Sequence, residues 1–130
     1  MNPIKNLMII DDDDVFVFLT KKTIAQVNVV ENIKVFDNGL DSINYIKENW
    51  ENADLLPEVI FLDLSMPIMD GWQFLDEYIL LEPKIEKEII IYVISSSISP
   101  EDLKKAKSIN VVTDFIVKPI TKEKLMEVIK

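Results

Sequence analysis

The chain of 130 residues contains no cysteine and no histidine. The absence of cysteine excludes a disulfide scaffold, a thiolate zinc site and thiol chemistry. The absence of histidine removes the commonest general base and the commonest side-chain ligand of transition metals. Any metal ion must therefore be a hard ion that is held by oxygen atoms.

Basic side chains are in the minority, because 14 Lys and Arg stand against 23 Asp and Glu and give a formal net charge of −9. We expect no nucleic-acid partner and no binding to an anionic membrane, since both require clustered basic residues. The longest unbroken apolar run covers residues 89–94, far fewer than the roughly 18 residues of a membrane-spanning helix. With no signal segment at the N-terminus, a cytoplasmic location is expected.

Short apolar runs alternate with amphipathic segments along the chain. A weaker run lies around residues 33–36, and the main runs occupy residues 7–10, 59–62, 89–94 and 115–117. They are continuous rather than alternating, which is typical of strands buried on both faces of a parallel sheet. Residues 15–27 fit a helix better than a strand, and Asp14 is a candidate for its cap. The pattern predicts about five β-α units, with helices on both faces of one parallel sheet.

Two further helix starts are predicted near the C-terminus. Ser99 can cap a helix that has Pro100 at its first position, and Thr121 can cap a last helix.

Polar side chains follow four of the predicted strands. The acidic run 11–14 follows the first, Asp63 ends the third, the serines at 95–97 end the fourth, and Lys118 follows the fifth. The functional crevice of an open parallel sheet lies beyond the carboxyl ends of its strands. We therefore predict an oxygen-rich Mg²⁺ site beside a hydroxyl and an ammonium that could hold phosphoryl oxygens.

Grouping Asp11, Asp12 and Asp63 without a cation would destabilise the fold. Two carboxylates about 5 Å apart repel by roughly 3 kcal/mol at an effective dielectric constant near 20. A fold carries such a cluster mainly where a divalent ion is to be bound.

Four motifs in this order resemble the receiver domain of response regulators, the phospho-acceptor part of two-component signalling. They are Ile9-Ile10-Asp11-Asp12, the stretch from Leu62 to Trp72, Val93-Ile94-Ser95-Ser96, and the stretch from Phe115 to Pro119. The resemblance covers residues 7–129 and implies a flavodoxin-like, doubly wound α/β fold with five parallel strands in the order 2-1-3-4-5. It also implies a single receiver domain over residues 1–130 without an effector domain, similar to the stand-alone regulators of chemotaxis.

The resemblance implies a role for each site residue. Asp63 accepts a phosphoryl group from a phosphohistidine of a sensor histidine kinase or a histidine phosphotransfer protein. The expected ligands of Mg²⁺, for which Mn²⁺ is expected to substitute, are Asp11, Asp12, Asp63 and the backbone carbonyl of Ser65. The expected ligands of the phosphoryl oxygens are Lys118, the Ser95 hydroxyl and the Ser96 amide. Apart from this self-catalysed transfer and autodephosphorylation, no turnover of a separate substrate is expected.

The resemblance also implies how phosphorylation is transmitted. Ser95 and Phe115 form the switch, which changes the affinity of a face built from helix 4, strand 5 and helix 5 for an unknown downstream protein. The side chains of Ser65 and Ser97 tune hydrolysis of the acyl phosphate, and the Lys118–Pro119 peptide bond is expected to be cis. The chain is expected to be a monomer or a weak homodimer.

Two other hypotheses stay open. A Mg²⁺-dependent phosphohydrolase of the haloacid dehalogenase type also uses an aspartyl nucleophile at the edge of a parallel sheet. Such enzymes carry Asp-x-Asp after the nucleophile strand, whereas Ser65 stands at the second position here, and they place the acid pair late in the chain. A passive scaffold would take no phosphate, and neither Mg²⁺ nor beryllofluoride would change its spectrum or its melting temperature.

Overall fold

The computed structural model describes residues 4–96 and 99–129. The strands are Ile4–Ile10 (β1), Val30–Phe36 (β2), Val59–Asp63 (β3), Ile90–Ser95 (β4) and Val112–Val117 (β5). The α-helices are Asp14–Val27 (α1), Gly39–Asn49 (α2), Gly71–Leu81 (α3), Pro100–Ser108 (α4) and Lys122–Ile129 (α5). None of the helices formed by these residues is both long and apolar enough to span a membrane.

All five strands pair in parallel in one sheet of order β2-β1-β3-β4-β5. This is the doubly wound, flavodoxin-like fold that was predicted, and each apolar run lies within a strand except for Ile89, which precedes β4. The helical interpretation of residues 15–27 is confirmed by α1. Val15 to Phe18 favour a strand by propensity, but the apolar side chains of α1 bury at helical spacing against the sheet, and this packing decides the structure.

Two apolar cores lie on the two faces of the sheet. On one face, Phe16 and Ile24 of α1 pack with Leu125 of α5. On the other face, Ile43 of α2 packs with Phe74 of α3. Burial of both faces explains why the strands read as continuous apolar runs rather than as alternating patterns.

The helix caps agree with the sequence at two positions and differ at one. The Ser99 side chain accepts a hydrogen bond from the Asp102 N–H at the start of α4, and Thr121 Oγ1 accepts one from the Lys124 N–H of α5. At α1 the cap is Asp13 rather than the expected Asp14, because Asp13 Oδ1 accepts hydrogen bonds from two N–H groups of the first turn. The prediction of Asp14 as the cap was wrong by one residue, because aspartate at either position is equally able to cap a helix and the sequence does not distinguish them.

At the amino-terminal edge of the sheet, Glu58 connects neighbouring segments through hydrogen bonds and an ion pair. Glu58 Oε1 accepts hydrogen bonds from the backbone N–H groups of Lys5 at 2.6 Å and Asn6 at 2.9 Å, and Glu58 Oε2 forms an ion pair with Lys87. Burial by itself would raise the pKa of Glu58, but the contacts with Lys87 and with the two N–H groups lower it below its usual range. A carboxylate with this set of partners stabilises the fold in its charged form.

The loop between β3 and α3 holds a β-branched residue in an unfavourable conformation. Ile68 has φ of 69°, in the left-handed region, and its side chain is 75% exposed. A left-handed conformation costs a residue with a Cβ about 1–2 kcal/mol. Because the Ile68 side chain buries little apolar surface to offset this cost, the position is locally strained.

We expect the substitution Ile68→Asn to raise the free energy of unfolding by about 1 kcal/mol, because asparagine tolerates the left-handed region far better than isoleucine. Chemical denaturation followed by circular dichroism measures the change. Leu80→Asn is the matched control, since Leu80 is equally exposed at 75% but lies inside α3, where asparagine lowers helix propensity. A decrease in stability for both variants would contradict the assignment of strain to Ile68.

Candidate functional site

The predicted site residues meet at the carboxyl edge of the sheet. Asp11 follows β1, Asp63 is the last residue of β3, Ser95 is the last residue of β4, and Lys118 follows β5. The backbone extends the sheet up to this edge, because the Asp11 N–H donates to the Phe36 carbonyl and the Lys118 N–H donates to the Ser95 carbonyl, each at 2.9 Å. These main-chain hydrogen bonds fix the backbone positions from which the Asp11 and Lys118 side chains extend.

Three carboxylates form a compact cluster at this edge. One oxygen each from Asp11, Asp12 and Asp63 lies within 4.8 Å of the others, with Asp11 and Asp63 buried and Asp12 exposed. Two oxygens bound to the same Mg²⁺ lie at most about 4.2 Å apart, given bonds of about 2.1 Å. The donor set is hard oxygen, and its spacing needs little adjustment, so these residues fit a hexacoordinate divalent ion of this kind.

Lys118 supplies the positive charge beside this cluster. Its Nζ lies 2.8 Å from Asp11 Oδ2, 3.7 Å from Asp63 Oδ1 and 3.9 Å from Asp13 Oδ2. The side chain is only 13% exposed, and Nζ lies 4.5 Å from the centroid of the Phe16 ring. The ammonium is therefore held among carboxylates in a partly desolvated position, where charge interactions are stronger than in water.

Burial and crowding make the charged form of Asp63 unfavourable. Burial, together with the nearby charge of Asp11, raises the pKa of Asp63 from 3.8 to about 6, although Lys118 and a hydrogen bond from the Ser65 backbone oppose the rise. Burial also raises the pKa of Asp11, against the opposing effect of Lys118. One ammonium does not neutralise three carboxylates, and the site keeps an excess of negative charge that a divalent cation would relieve.

Two glycines allow the loops to approach this edge closely. A Cβ on Gly71 would lie 2.5 Å from the Asp63 carbonyl oxygen, and a Cβ on Gly39 would lie 2.7 Å from that of Met69. The Gly39 N–H donates to the same Met69 oxygen at 2.9 Å. Because neither position carries a side chain, α3 can begin in contact with the end of β3, and the loop before α2 can approach the loop before α3.

The remaining predicted residues lie around the acids. Ser65 is exposed in the loop after β3, and Ser96 is exposed after the half-buried Ser95. Phe115 is half-buried and packs against the core that contains α2 and α3. Ser97 lies outside the described residues. The Lys118–Pro119 peptide bond is cis, as expected.

Two residues in contact with Lys118 were not among the predicted site residues. Asp13 was part of the recognised acidic run, but sequence spacing alone does not show that its carboxylate reaches Lys118. Phe16 reads as an ordinary core residue of an amphipathic helix, and it is buried in that core. Nothing in the sequence around Phe16 indicates that its ring also lies against the ammonium.

The chain matches the response regulator receiver domain family over residues 7–130. A parallel sheet of this order, with buried acids and a lysine at its carboxyl edge, is the architecture expected of that family, and the chain belongs to it.

Similar proteins span almost the whole chain. The chemotaxis protein CheY of Treponema pallidum is 30% identical over 120 residues, which are 92% of this chain and 77% of that protein. The crystal structure of a two-component response regulator from Cytophaga hutchinsonii superposes with a TM-score of 0.87 at 30% identity, covering 97% of this chain and 94% of that one. The phosphorylated cyanobacterial phytochrome response regulator RcpA has a TM-score of 0.76 at 25% identity, covering 95% and 87%.

The family defines the class of activity. The chain is a phospho-acceptor receiver domain of the two-component type, similar to chemotaxis regulators. Receiver domains bind Mg²⁺ at an acidic cluster and interact with histidine kinases or phosphotransfer proteins. The similar proteins give no support to the haloacid dehalogenase alternative.

The raised pKa of Asp63 predicts a pH dependence of stability in the presence of a chelator. Between pH 3.8 and about 6 the folded state binds more protons at Asp63 than the unfolded state, so the contribution of this residue to stability falls as the pH rises through that window. The stability of the wild type relative to Asp63→Asn should fall by roughly 1–3 kcal/mol between pH 4 and pH 7. Urea denaturation at several pH values measures this difference.

Asp76→Asn is the control for this experiment, because it removes one carboxylate from the exposed side of α3. If the stability of the wild type relative to Asp63→Asn stays constant, or increases, as the pH rises, that result would contradict a crowded anionic site around Asp63.

Proposed function

We propose that Asp63 is the phosphoryl acceptor of this receiver domain. The observation that supports this most strongly is the placement of its buried carboxylate beside both Lys118 and two further acids. A carboxylate with a pKa of about 6 is mostly ionised at neutral pH and needs no general base to act as a nucleophile. This chemistry suits a chain without histidine.

In the proposed transfer, a carboxylate oxygen of Asp63 attacks the phosphorus of a phosphohistidine on the partner. The P–N bond breaks, its electron pair leaves with the imidazole, and a new P–O bond forms an acyl phosphate. Lys118 pairs with one phosphoryl oxygen, while the Ser95 hydroxyl and the Ser96 amide donate to the others, which stabilises the charge that develops on them. In autodephosphorylation, water attacks the phosphorus and the Asp63 carboxylate leaves. Ser65 and Ser97 are proposed to tune that rate.

The proposed magnesium ligands are the carboxylates of Asp11, Asp12 and Asp63 and the backbone carbonyl of Ser65, and Mn²⁺ is proposed to substitute. When bound, the ion neutralises the crowded anions and polarises the phosphoryl group. The chain's own contribution is to hold three hard oxygen donors close together at the ends of β1 and β3.

The proposed switch links this site to the face formed by α4, β5 and α5. Ser95 and Phe115 lie on the adjacent strands β4 and β5. Helix α4 buries only Ala106, and two of its lysines lie over aromatic rings, Lys105 over Trp72 and Lys107 over Phe115. An element with so little buried surface can shift at low cost, which supports a change in this face on phosphorylation.

The phosphoryl donor is proposed to be a sensor histidine kinase or a phosphotransfer protein, and the α4-β5-α5 face is proposed to bind a downstream protein. A cytoplasmic location and a monomeric or weakly dimeric state are also proposed.

Incubation with acetyl phosphate and Mg²⁺ should add the mass of one phosphoryl group to the intact protein, because the Asp63 carboxylate displaces acetate from phosphorus. Asp63→Asn should abolish the adduct, whereas Asp70→Asn, which changes a helix-capping acid in the following loop, should keep it. Intact-mass spectrometry at intervals gives the readout. Absence of the adduct from the wild type, or its persistence in Asp63→Asn, would overturn the proposal.

Magnesium should stabilise the folded protein through the same acids. At a Mg²⁺ concentration about five times the dissociation constant, the free energy of unfolding should rise by about 1 kcal/mol. Asp12→Ala should remove this increment, while Asp14→Ala, which changes an exposed acid outside the three-carboxylate cluster, should retain it. Thermal unfolding with and without Mg²⁺ provides the comparison. An equal loss in both variants would indicate a general charge effect rather than a site.

A further inference from the structure

We propose that Asp13 is a positioning residue that draws the Lys118 ammonium away from Asp63 and thereby slows phosphoryl transfer. The inference rests on the proposed role of Asp63 as the acceptor. It concerns an acid outside the three-carboxylate cluster, and it is carried by the contacts of this acid with α1 and with Lys118.

The two oxygens of Asp13 have different partners. Oδ1 accepts hydrogen bonds of 3.1 Å from the N–H groups of Val15 and Phe16, and so caps α1. Oδ2 lies 3.9 Å from Lys118 Nζ. The side chain is 49% exposed, but the two hydrogen bonds from the helix fix its orientation. The Oδ2 atom is therefore held towards the ammonium, and this contact costs little additional side-chain conformational entropy.

The surroundings of Lys118 restrict where its ammonium can go. The Phe16 ring lies 4.5 Å away on α1, and Asp11 lies 2.8 Å away at the end of β1. Asp63 is 3.7 Å from the same nitrogen, beyond ordinary hydrogen-bond length. Asp11 and Asp13 both follow β1, and both attract the ammonium in competition with Asp63.

Transfer needs the ammonium at the oxygens of the incoming phosphoryl group, where charge develops. When this contact forms, the ion pairs that hold Lys118 at other carboxylates must weaken. Asp13 is half exposed, so solvent weakens its attraction, and a pair of this kind typically alters an equilibrium by a factor of about two to five. Removing the charge of Asp13 should accelerate transfer by a factor in that range.

Asp13→Asn tests the proposal, because asparagine caps a helix as well as aspartate but carries no charge. The measurement is the rate of adduct formation from acetyl phosphate over a range of donor concentrations. We expect kcat to rise about two- to five-fold with KM unchanged, and the gain to shrink at high ionic strength. Asp13→Ser, which also keeps a capping oxygen, replaces this variant if it folds poorly.

Asp14→Asn is the matched control. It removes the same charge from the adjacent, exposed position of α1, and no ion pair joins Asp14 to Lys118 among the described residues. A general effect on an anionic donor would lower KM in both variants. The second control is the Lys118→Met background, in which Asp13→Asn should bring no acceleration, because Asp13 acts through the ammonium.

The outcomes separate this inference from the proposed function. If the wild type forms no adduct, the role of Asp63 fails and the inference fails with it. If the wild type forms the adduct but Asp13→Asn has the same kcat as Asp14→Asn, only the role of Asp13 is overturned. The same holds if the acceleration persists in the Lys118→Met background.

Discussion

At the carboxyl edge of the sheet the carboxylates of Asp11, Asp13 and Asp63 share the single ammonium of Lys118, and the chemistry of this protein depends on that imbalance of charge. Lys118 is closest to Asp11, while Asp63 remains 3.7 Å away and has a pKa raised to about 6 by burial and by its acidic neighbour. A site with this excess of negative charge favours the binding of a cation. It therefore suits a divalent cation and a nucleophilic carboxylate in the same few ångströms.

The carboxylates at the two ends of the sheet have opposite environments, Glu58 being partly buried and Asp63 buried. At the amino-terminal edge, Glu58 meets Lys87 and two backbone N–H groups, and its pKa is lowered. At the carboxyl edge, Asp63 meets other carboxylates, and its pKa is raised. The first arrangement stabilises the fold in the charged state. The second reduces stability, as expected where a site is arranged for binding and reaction rather than for folding.

Rigid and loosely packed elements are also separated in this fold. Strand β3 and residues 7–10 of β1, after which the acids follow, are buried between two apolar cores and hold Asp63 at a fixed place. Helix α4 buries a single alanine and contacts neighbouring rings through its lysines. A change of charge at the rigid site can therefore shift the weakly packed helix α4 and alter the surface that this helix presents.

The sequence by itself determined the parallel sheet, the order of helices and strands, and the acids, serine and lysine at the strand ends. Continuous apolar runs and helical spacing are local patterns, and the resemblance to receiver domains supplied the strand order. The tertiary structure decided which neighbouring acid caps α1, how far Lys118 lies from each carboxylate, and that the Phe16 ring lies against the ammonium. The choice of cap is local, but the contacts of Lys118 join residues that lie far apart in the sequence, and their distances depend on how α1, β3 and β5 pack together. Only the folded chain brings those elements together, and local sequence patterns carry no information about such distances.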